Sequence, residues 1–485
     1  MFELAQAAVE GALAAGATYA DARFGLNRSE SLHARNGRLE GLRHGESGGI
    51  GVRALMGSSW GFMAVAEPSE TTARTAGFDA AAIAKASALV PGPPLELADI
   101  EPVQAEWTSG WQEHPFDVSV SEKGDLLIAV TTTMHGVPGV TIAEANLSCW
   151  DTQKWFVSSQ GARIFQHLVE TGATMSATAV GEHETQRRSY GGIGGTYATK
   201  GYELIRQIDL AANAGRVGEE AVALLSAPEC QPATTDLILG SEQLALQIHE
   251  SVGHAIELDR ILGWEAAFAG TSFLDLSKLG TFRYGSELMN ITADATLPGS
   301  LGSFGYDDEG TPAQRVDIVK EGTWVGVLSG RDSAAVTGLP PGGMVRAESW
   351  NRLPMVRMTN VGLLPGNSSL DEIIASTDDG IYMETNRSWS IDDKRLNFQF
   401  GCEVGYEVKS GQRGRLLRNP TYTGITPQFW GSLDMLGNVN EWIFWGTPNC
   451  GKGQPMQYGH TGHPAVPARF RNVRVGVRGR PGATA

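Results

Sequence analysis

Two histidines bracket a glutamate in the stretch His249-Glu250-Ser251-Val252-Gly253-His254. These are the parts of a helical zinc site, in which two imidazoles hold the metal and the adjacent carboxylate acts as general base on a metal-bound water. The spacing is unusual. The common zinc-protease motif separates its histidines by four residues, which places both on one helical face. A separation of five turns them about 140° apart at ~3.6 residues per turn, too divergent for one tetrahedral ion. One residue must therefore be absorbed, most simply by a π-type bulge, and Gly253 makes that distortion cheap. Without such a bulge the segment reads as two ordinary helical histidines, one in the core and one exposed.

The elements that position this stretch can be read around it. Leu244, Ile248, Val252 and Ala255 recur at helical spacing, so one face is buried. A strand over Ala233–Leu239 precedes the helix, Gly240 makes the turn, and Ser241 is the expected N-cap. Candidates for a third ligand lie downstream: Cys450 in a loop over Thr447–Gly453, then His460 and His463, with Glu257 three residues past His254. A thiol at such a site binds as thiolate, because zinc lowers its pKa. Asp307-Asp308-Glu309, before Gly310, could bind a hard cation or form a solvated turn into a strand over Gln314–Lys320. Arg187–Gly195 reads as a glycine-rich loop over a substrate channel, since it lacks the strand–GxGxxG–helix setting of a phosphate cradle.

An ordered set of motifs resembles the TldD/PmbA family, on its TldD side. It comprises Tyr19–Arg23, Gly51–Ala54, His249–Asp259, Asp307–Gly310, Arg357–Asn360 with Leu364–Gly366, and Asn449–Lys452, and it spans about Ala20 to Gly476. The resemblance implies a zinc peptidase with His249, His254 and Cys450 as metal ligands and Glu250 as the catalytic base. It places Asp307 to Glu309 near the active site, as lining rather than ligands. It also implies substrates that are unfolded or small ribosomal peptides, and a TldE/PmbA-like partner subunit in a heterodimer, or else a homodimer. The Trp-rich stretch with Trp430, Trp442 and Trp445 departs from the family pattern and reads as core or interface packing, or as a channel lining.

At 485 residues the chain is long enough for two or three domains. The 61 glycines and modest charge suit many strands and turns. The fold class expected is α+β: an N-terminal α/β region followed by a β-rich C-terminal domain carrying the zinc-binding helix. The boundaries expected are 1–90, 116–227 and 231–479, with Pro91-Gly92-Pro93-Pro94 opening a linker to Pro115. A net charge of −16 argues against a nucleic-acid or anionic-membrane surface. Glu3 and Glu10 interrupt the start where a secretory signal needs a basic, then apolar, run. No apolar run approaches the ~20 residues that cross a bilayer. Four cysteines without framework spacing argue against a disulfide scaffold. A cytoplasmic protein is expected.

The elements fall in a definite order. Expected helices are Met1–Ala15, Thr71–Val90, Val118–His135 with a capping box at Ser119–Glu122, Gln207–Leu225 and Asp371–Ser376. Expected strands include Tyr19–Gly25, Glu30–Ala34, a hairpin of Gly49–Met56 with Ser59–Val65, Val140–Asp151, Gln153–Gly161, His167–Val180, Val316–Lys320 with Thr323–Ser329, and Leu396–Val404 paired with Gly405–Lys409. For the reaction, Tyr306, His460 and His463 are the candidate oxyanion donors. An idle peptide-binding or assembly subunit on the same fold is the alternative function, and a hydrolase of non-peptide amides would use the same site.

Overall fold

Long strands dominate the first half of the chain. The computed structural model describes residues 1–90, 92, 94–192, 194–268, 270–453 and 455–477; Pro91, Pro93, Ile193 and Gly479 lie outside them. Tyr19–Arg35 pairs with Arg38–Met56 on one side and Val140–Ser158 on the other, along its whole length. The strands expected at Tyr19–Gly25 and Glu30–Ala34 are therefore one strand of 17 residues. Val140–Asp151 and Gln153–Gly161 likewise merge into Val140–Ser158, which pairs throughout with Arg163–Val180. Neighbours on both sides pair the backbone over nearly the whole length, so the polar residues between the apolar runs do not break the strand.

Among the described residues this sheet has eight strands, and two helix pairs cover it. Phe2–Ala14 and Glu70–Ser87 bury Ala5, Ala8, Val9, Ala73, Ala76 and Ala80 against Ala20, Ala22, Ile50 and Val52. The small residues allow a very close approach: a Cβ on Gly77 would stand 2.0 Å from the Ala8 carbonyl oxygen. Val120–His135 and Leu210–Ser226 cover Ala143, Ala145, Leu147 and Cys149, the alternate residues of Val140–Ser158. Ser119 accepts from the Glu122 N–H at 3.1 Å as the N-cap. The expected helix Gln207–Leu225 is two, Glu203–Ile208 and Leu210–Ser226. Asp209, at φ 42°, ends the first and accepts from the Ala212 N–H to start the second. The segment expected as a linker contributes Gln104–Thr108, paired parallel with Arg163–Val180.

From Ala233 onward the strands are shorter and pair in a circle. Ala233–Leu239 lies between Asp379–Ile391 and Ala468–Val475; the circle continues through Thr421–Ile425 and Asn397–Lys409 back to Asp379–Ile391. Asn397–Lys409 is one strand, because Asp379–Ile391 pairs along all of it; the expected pairing within it, Leu396–Val404 with Gly405–Lys409, does not form. The expected strand Thr323–Ser329 reaches only Trp324. The architecture is α+β with a β-rich C-terminal part, and among the described residues no helix is long and apolar enough to cross a membrane.

Asp307, Asp308 and Glu309 join the two halves. They are 1–2% exposed, so they are not a solvated turn, and protein donors meet their carboxylates. Asp307 accepts from the backbone N–H groups of Glu309, Thr311 and Val345. Asp308 pairs with Arg23 at 3.1 Å and with Lys154, while Glu309 accepts from Arg53 at 3.3 Å. Burial alone would raise the Asp308 pKa, but Lys154 and Arg23 outweigh it and hold the value at about 2. An unfolded Asp titrates near ~3.9, so this contribution is fully present above that pH and is lost as pH falls toward 2. Asp308→Ala should lower stability by about 3 kcal/mol or more, because Arg23 is left buried without its carboxylate. The loss should appear as a lower thermal midpoint at pH 7, and the gap to the unaltered protein should shrink below pH ~4.

Candidate metal centre

Ala233–Leu239 ends at Gly240, which is the N-cap of the helix Ser241–Ile248. Ser241 takes the first helical position instead, and its hydroxyl accepts from Trp445 Nε1 at 3.1 Å. At His249 the helix widens into a π-turn over His249–Gly253, closed by the His254 N–H donating to the His249 carbonyl at 3.2 Å. The wide turn frees the Ser251 carbonyl, which accepts from the buried Tyr284 hydroxyl at 2.6 Å. Trp430 Nε1 donates to the Ser251 hydroxyl at 2.9 Å. Gly253 faces Met358, where a Cβ would stand 2.1 Å from the sulfur. The extra residue in the turn brings the two imidazoles to one side, with ring centroids 4.8 Å apart.

Cys450 meets them from the far end of the chain. Its Sγ is 3.8 Å from His254 Nε2, and one donor atom from each of His249, His254 and Cys450 lies within 4.8 Å of the others. The three residues are 3–5% exposed. Cys450 is on a strand, not in a loop: Ile443–Lys452 pairs with Gln457–Ala465, with a register shift between Thr447 and Cys450. Lys452, fully buried, fastens this strand to the segment after the π-turn through Asp259 at 2.7 Å and Glu257 at 3.4 Å.

Hydrogen bonds assign the imidazole tautomers. His463 Nδ1 donates to the Val361 carbonyl (3.0 Å), so its Nε2 accepts from His249 Nδ1 (2.8 Å). His254 Nδ1 donates to Glu257 (3.0 Å). Both Nε2 lone pairs are thereby left for the space beside Cys450. Burial pushes the pKa of His249 and His254 below the ordinary imidazole value, which keeps them neutral. Burial pushes the Cys450 thiol up, but His254, when it carries a proton, and Arg357 outweigh it and the net shift is downward. Glu257 stays ionised: burial opposes the charge, and Lys452, Arg260 and His254 overcome it. Two neutral imidazoles and an acid-shifted thiol, with hydrogen-bonded partners behind the rings, are a donor set that fits a borderline-soft divalent ion such as zinc.

A cleft of about 560 Å³ opens above these donors. Glu250 lines it, with Arg395 Nη1 donating to its carboxylate at 2.6 Å. Arg395 stands in the tight turn after Asp379–Ile391, at φ 64°. Gly191, Gly192, Gly194, Gly195 and Trp445 also line the cleft, while Arg187–Tyr190, expected in the loop, belong to the strand Thr185–Tyr190. Gly192 abuts Glu242, where a Cβ would stand 2.4 Å from Oε1. Trp430 is core, and Trp442 donates to the Leu363 carbonyl.

Several candidates fall elsewhere. Glu257 supports His254 from behind, on the ring nitrogen facing away from Cys450. His463 does the same for His249. His460 bonds Glu170 at 2.9 Å and packs on Trp150. Tyr306 packs beside Phe156 and Ile164, and Asp307 to Glu309 do not line this cleft. Arg395 was not anticipated, because Asp392-Asp393-Lys394-Arg395 has the composition of an exposed charged turn. Its proximity to Glu250 is a contact across 145 residues that no local pattern carries. Removing the support behind one ring should loosen the site: His463→Ala should weaken zinc binding about 10–100-fold, measured by competition with a chromogenic chelator.

Comparison with known proteins shows the family to which the chain belongs. Residues 20–88, 113–227 and 232–476 match, in order, domain 1, the central domain and the C-terminal domain of the PmbA/TldA metallopeptidases. A metalloprotease of Methanothermobacter thermautotrophicus is 29% identical over 465 residues, 94% of this chain and 95% of that one. A metalloprotease TldD homolog of Buchnera aphidicola is 27% identical over 94% of this chain and 92% of its own length. A zinc metalloprotease TldD homolog of Saccharolobus solfataricus is 29% identical over 201 residues, 41% of this chain and 43% of its own. Among solved structures, TldE of Thermococcus kodakarensis superposes with a TM-score of 0.71 at 14% identity, covering 97% of this chain and 99% of that one. A Thermotoga maritima protein does so at 0.76 and 17%, covering 98% and 99%. These two show the shared fold. With three family domains matched in sequence over most of its length, this chain belongs to the PmbA/TldD family of metallopeptidases.

Proposed function

We propose that this chain is a zinc-dependent peptidase that hydrolyses unfolded or small ribosomal peptides, with His249, His254 and Cys450 as the zinc ligands and Glu250 as general base. The observation that carries the reading is the convergence of three buried donors within 4.8 Å at the floor of a cleft that Glu250 also lines. Zinc bound there would supply Lewis acidity, making water a nucleophile near neutral pH and polarising the scissile carbonyl. Glu250 takes the water's proton and returns it to the leaving amine. Arg395 holds the Glu250 carboxylate in one orientation at the cleft wall. The sequence His249-Glu250-Ser251-Val252-Gly253-His254 thus acts as an HExxxH metallopeptidase motif.

The cleft's shape supports an extended substrate. Ala233–Leu239 pairs with Asp379–Ile391 only over Gly380–Met383, while Asn386, Trp389, Ser390 and Ile391 go on to line the cleft. A peptide laid along that edge gains main-chain hydrogen bonds with little demand on its sequence. Likeness to TldE and the family matches support a TldE/PmbA-like partner subunit, with a homodimer as the other assembly. The four buried free cysteines suit a reducing compartment, and the cytoplasm is the proposed location.

Metal content and hydrolysis of casein, measured together, test the reading. About one zinc per chain is expected in the unaltered protein and in Glu250→Ala, as for a single three-ligand site. Glu250→Ala should lose activity by about 100-fold or more, and Cys450→Ala should lose the metal. No zinc in any of them would leave only an idle peptide-binding subunit. Arg395→Gln should keep its zinc and lower kcat by about 100-fold through a misplaced base, measured on the same substrate.

A further inference from the structure

A second cleft, of about 470 Å³, is lined in part by the hairpin that carries Cys450. Asn449 lines both clefts. Two arginines in its wall have an unusual environment. Arg346 Nη2 donates to the carbonyls of Met358 and His460, the latter at 2.7 Å. Arg357 donates to the carbonyls of Gln457, at 3.3 Å, and Cys450. All these acceptors are neutral. Each guanidinium also carries a buried Nε with no partner among the described residues. Arg357 is 2% exposed and lies flat on Gly459, where a Cβ would stand 2.5 Å from Nη2.

The acids lining this cleft are committed to other groups. Asp308 is held by Arg23 and Lys154. Glu170 bonds His460, and Glu348 accepts from the Tyr458 N–H at 3.1 Å. Buried cations are tolerated when paired, and an uncompensated one is costly. Burial, followed by the neighbouring Arg357, brings the Arg346 pKa down to about 10, against the smaller opposing pull of Glu170 and Asp308. A planar guanidinium with free N–H groups matches a carboxylate or phosphate in a two-pronged hydrogen bond.

We propose that the cleft walled by Arg346 and Arg357 is an oxyanion-binding site, taking a carboxylate or phosphate group beside the metal-binding residues. If the group is the terminal carboxylate of a peptide, its role in catalysis rests on the peptidase reading; oxyanion binding itself does not. The terminal carboxylate and free phosphate share the required chemistry and can be separated by experiment.

The test is isothermal titration of the full-length Glu250→Ala protein at pH 7 and low salt. The probes are an acetylated Gly-Ala repeat octapeptide with a free C-terminal carboxylate, the same peptide amidated, and inorganic phosphate. The acid peptide should bind about tenfold or more tightly than the amide, as a charge-assisted hydrogen bond implies. Adding Arg346→Gln should abolish the difference, and Arg346→Lys should restore part of it. Equal binding of acid and amide, with phosphate binding that Arg346→Gln removes, would support the site with free phosphate as its occupant. Absence of both effects in the protein with its arginines intact would overturn the proposal, as would effects that persist in a folded Arg346→Gln. None of these readouts requires hydrolysis, so failure here is distinct from failure of the peptidase reading.

Discussion

Two imidazoles five residues apart can share a ligand only if the helix gives up its regular pitch between them. The hydrogen bond from the His254 N–H to the His249 carbonyl records that change, and much of the C-terminal half is arranged to keep it. A π-turn leaves carbonyls without their usual intrahelical partners, and a buried orphan carbonyl is expensive. Tyr284 satisfies one from outside the helix, and Trp430 fixes the hydroxyl next to it. Both aromatics are fully buried, so the turn is clamped by core residues from distant segments. Gly253 lets the chain pass Met358 where any side chain would collide.

The donors are then oriented by a layer of groups that never touch the cleft. Val361, His463 and His249 form one hydrogen-bonded series; Glu257 and His254 form another, braced by Arg260 and Lys452. These series link the π-turn to the strand Val361–Leu363 and to the hairpin bearing Cys450. The polar groups are all buried, so each needs its partner, and the cost of losing one keeps the arrangement unique. The acid triplet Asp307 to Glu309 plays the corresponding role between the two halves of the molecule, meeting Arg23, Arg53 and Lys154 of the large sheet.

Much of this was legible in the sequence, and the failures have physical causes. Period-2 and period-3.6 patterns located the strand Ala233–Leu239 and the helices over Glu70–Ser87 and Val120–His135 to within a few residues. The mismatch between a five-residue spacing and a helix required a bulge, and the bulge is present. Strand lengths were underestimated because pairing on both edges carries the backbone through polar stretches such as Asn27–Ser29. Cys450 looked like a loop residue because its glycine-rich neighbours carry no alternation, yet the partner strand Gln457–Ala465 supplies the ladder.

What the sequence determined by itself is therefore local and chemical. It includes the donor types, the need for an irregular turn between His249 and His254, the family motifs and the α+β order of elements. What only the tertiary structure decided is which side chain meets which. Glu257 and His463 have the chemistry of ligands and became supports, because the ring nitrogens they reach are those facing away from Cys450. Arg395 found Glu250, and Arg346 and Arg357 came to rest on backbone carbonyls, through contacts between segments far apart in the chain. Local spacing constrains neighbours along a helix or strand, whereas the closing of one sheet on another sets those distances.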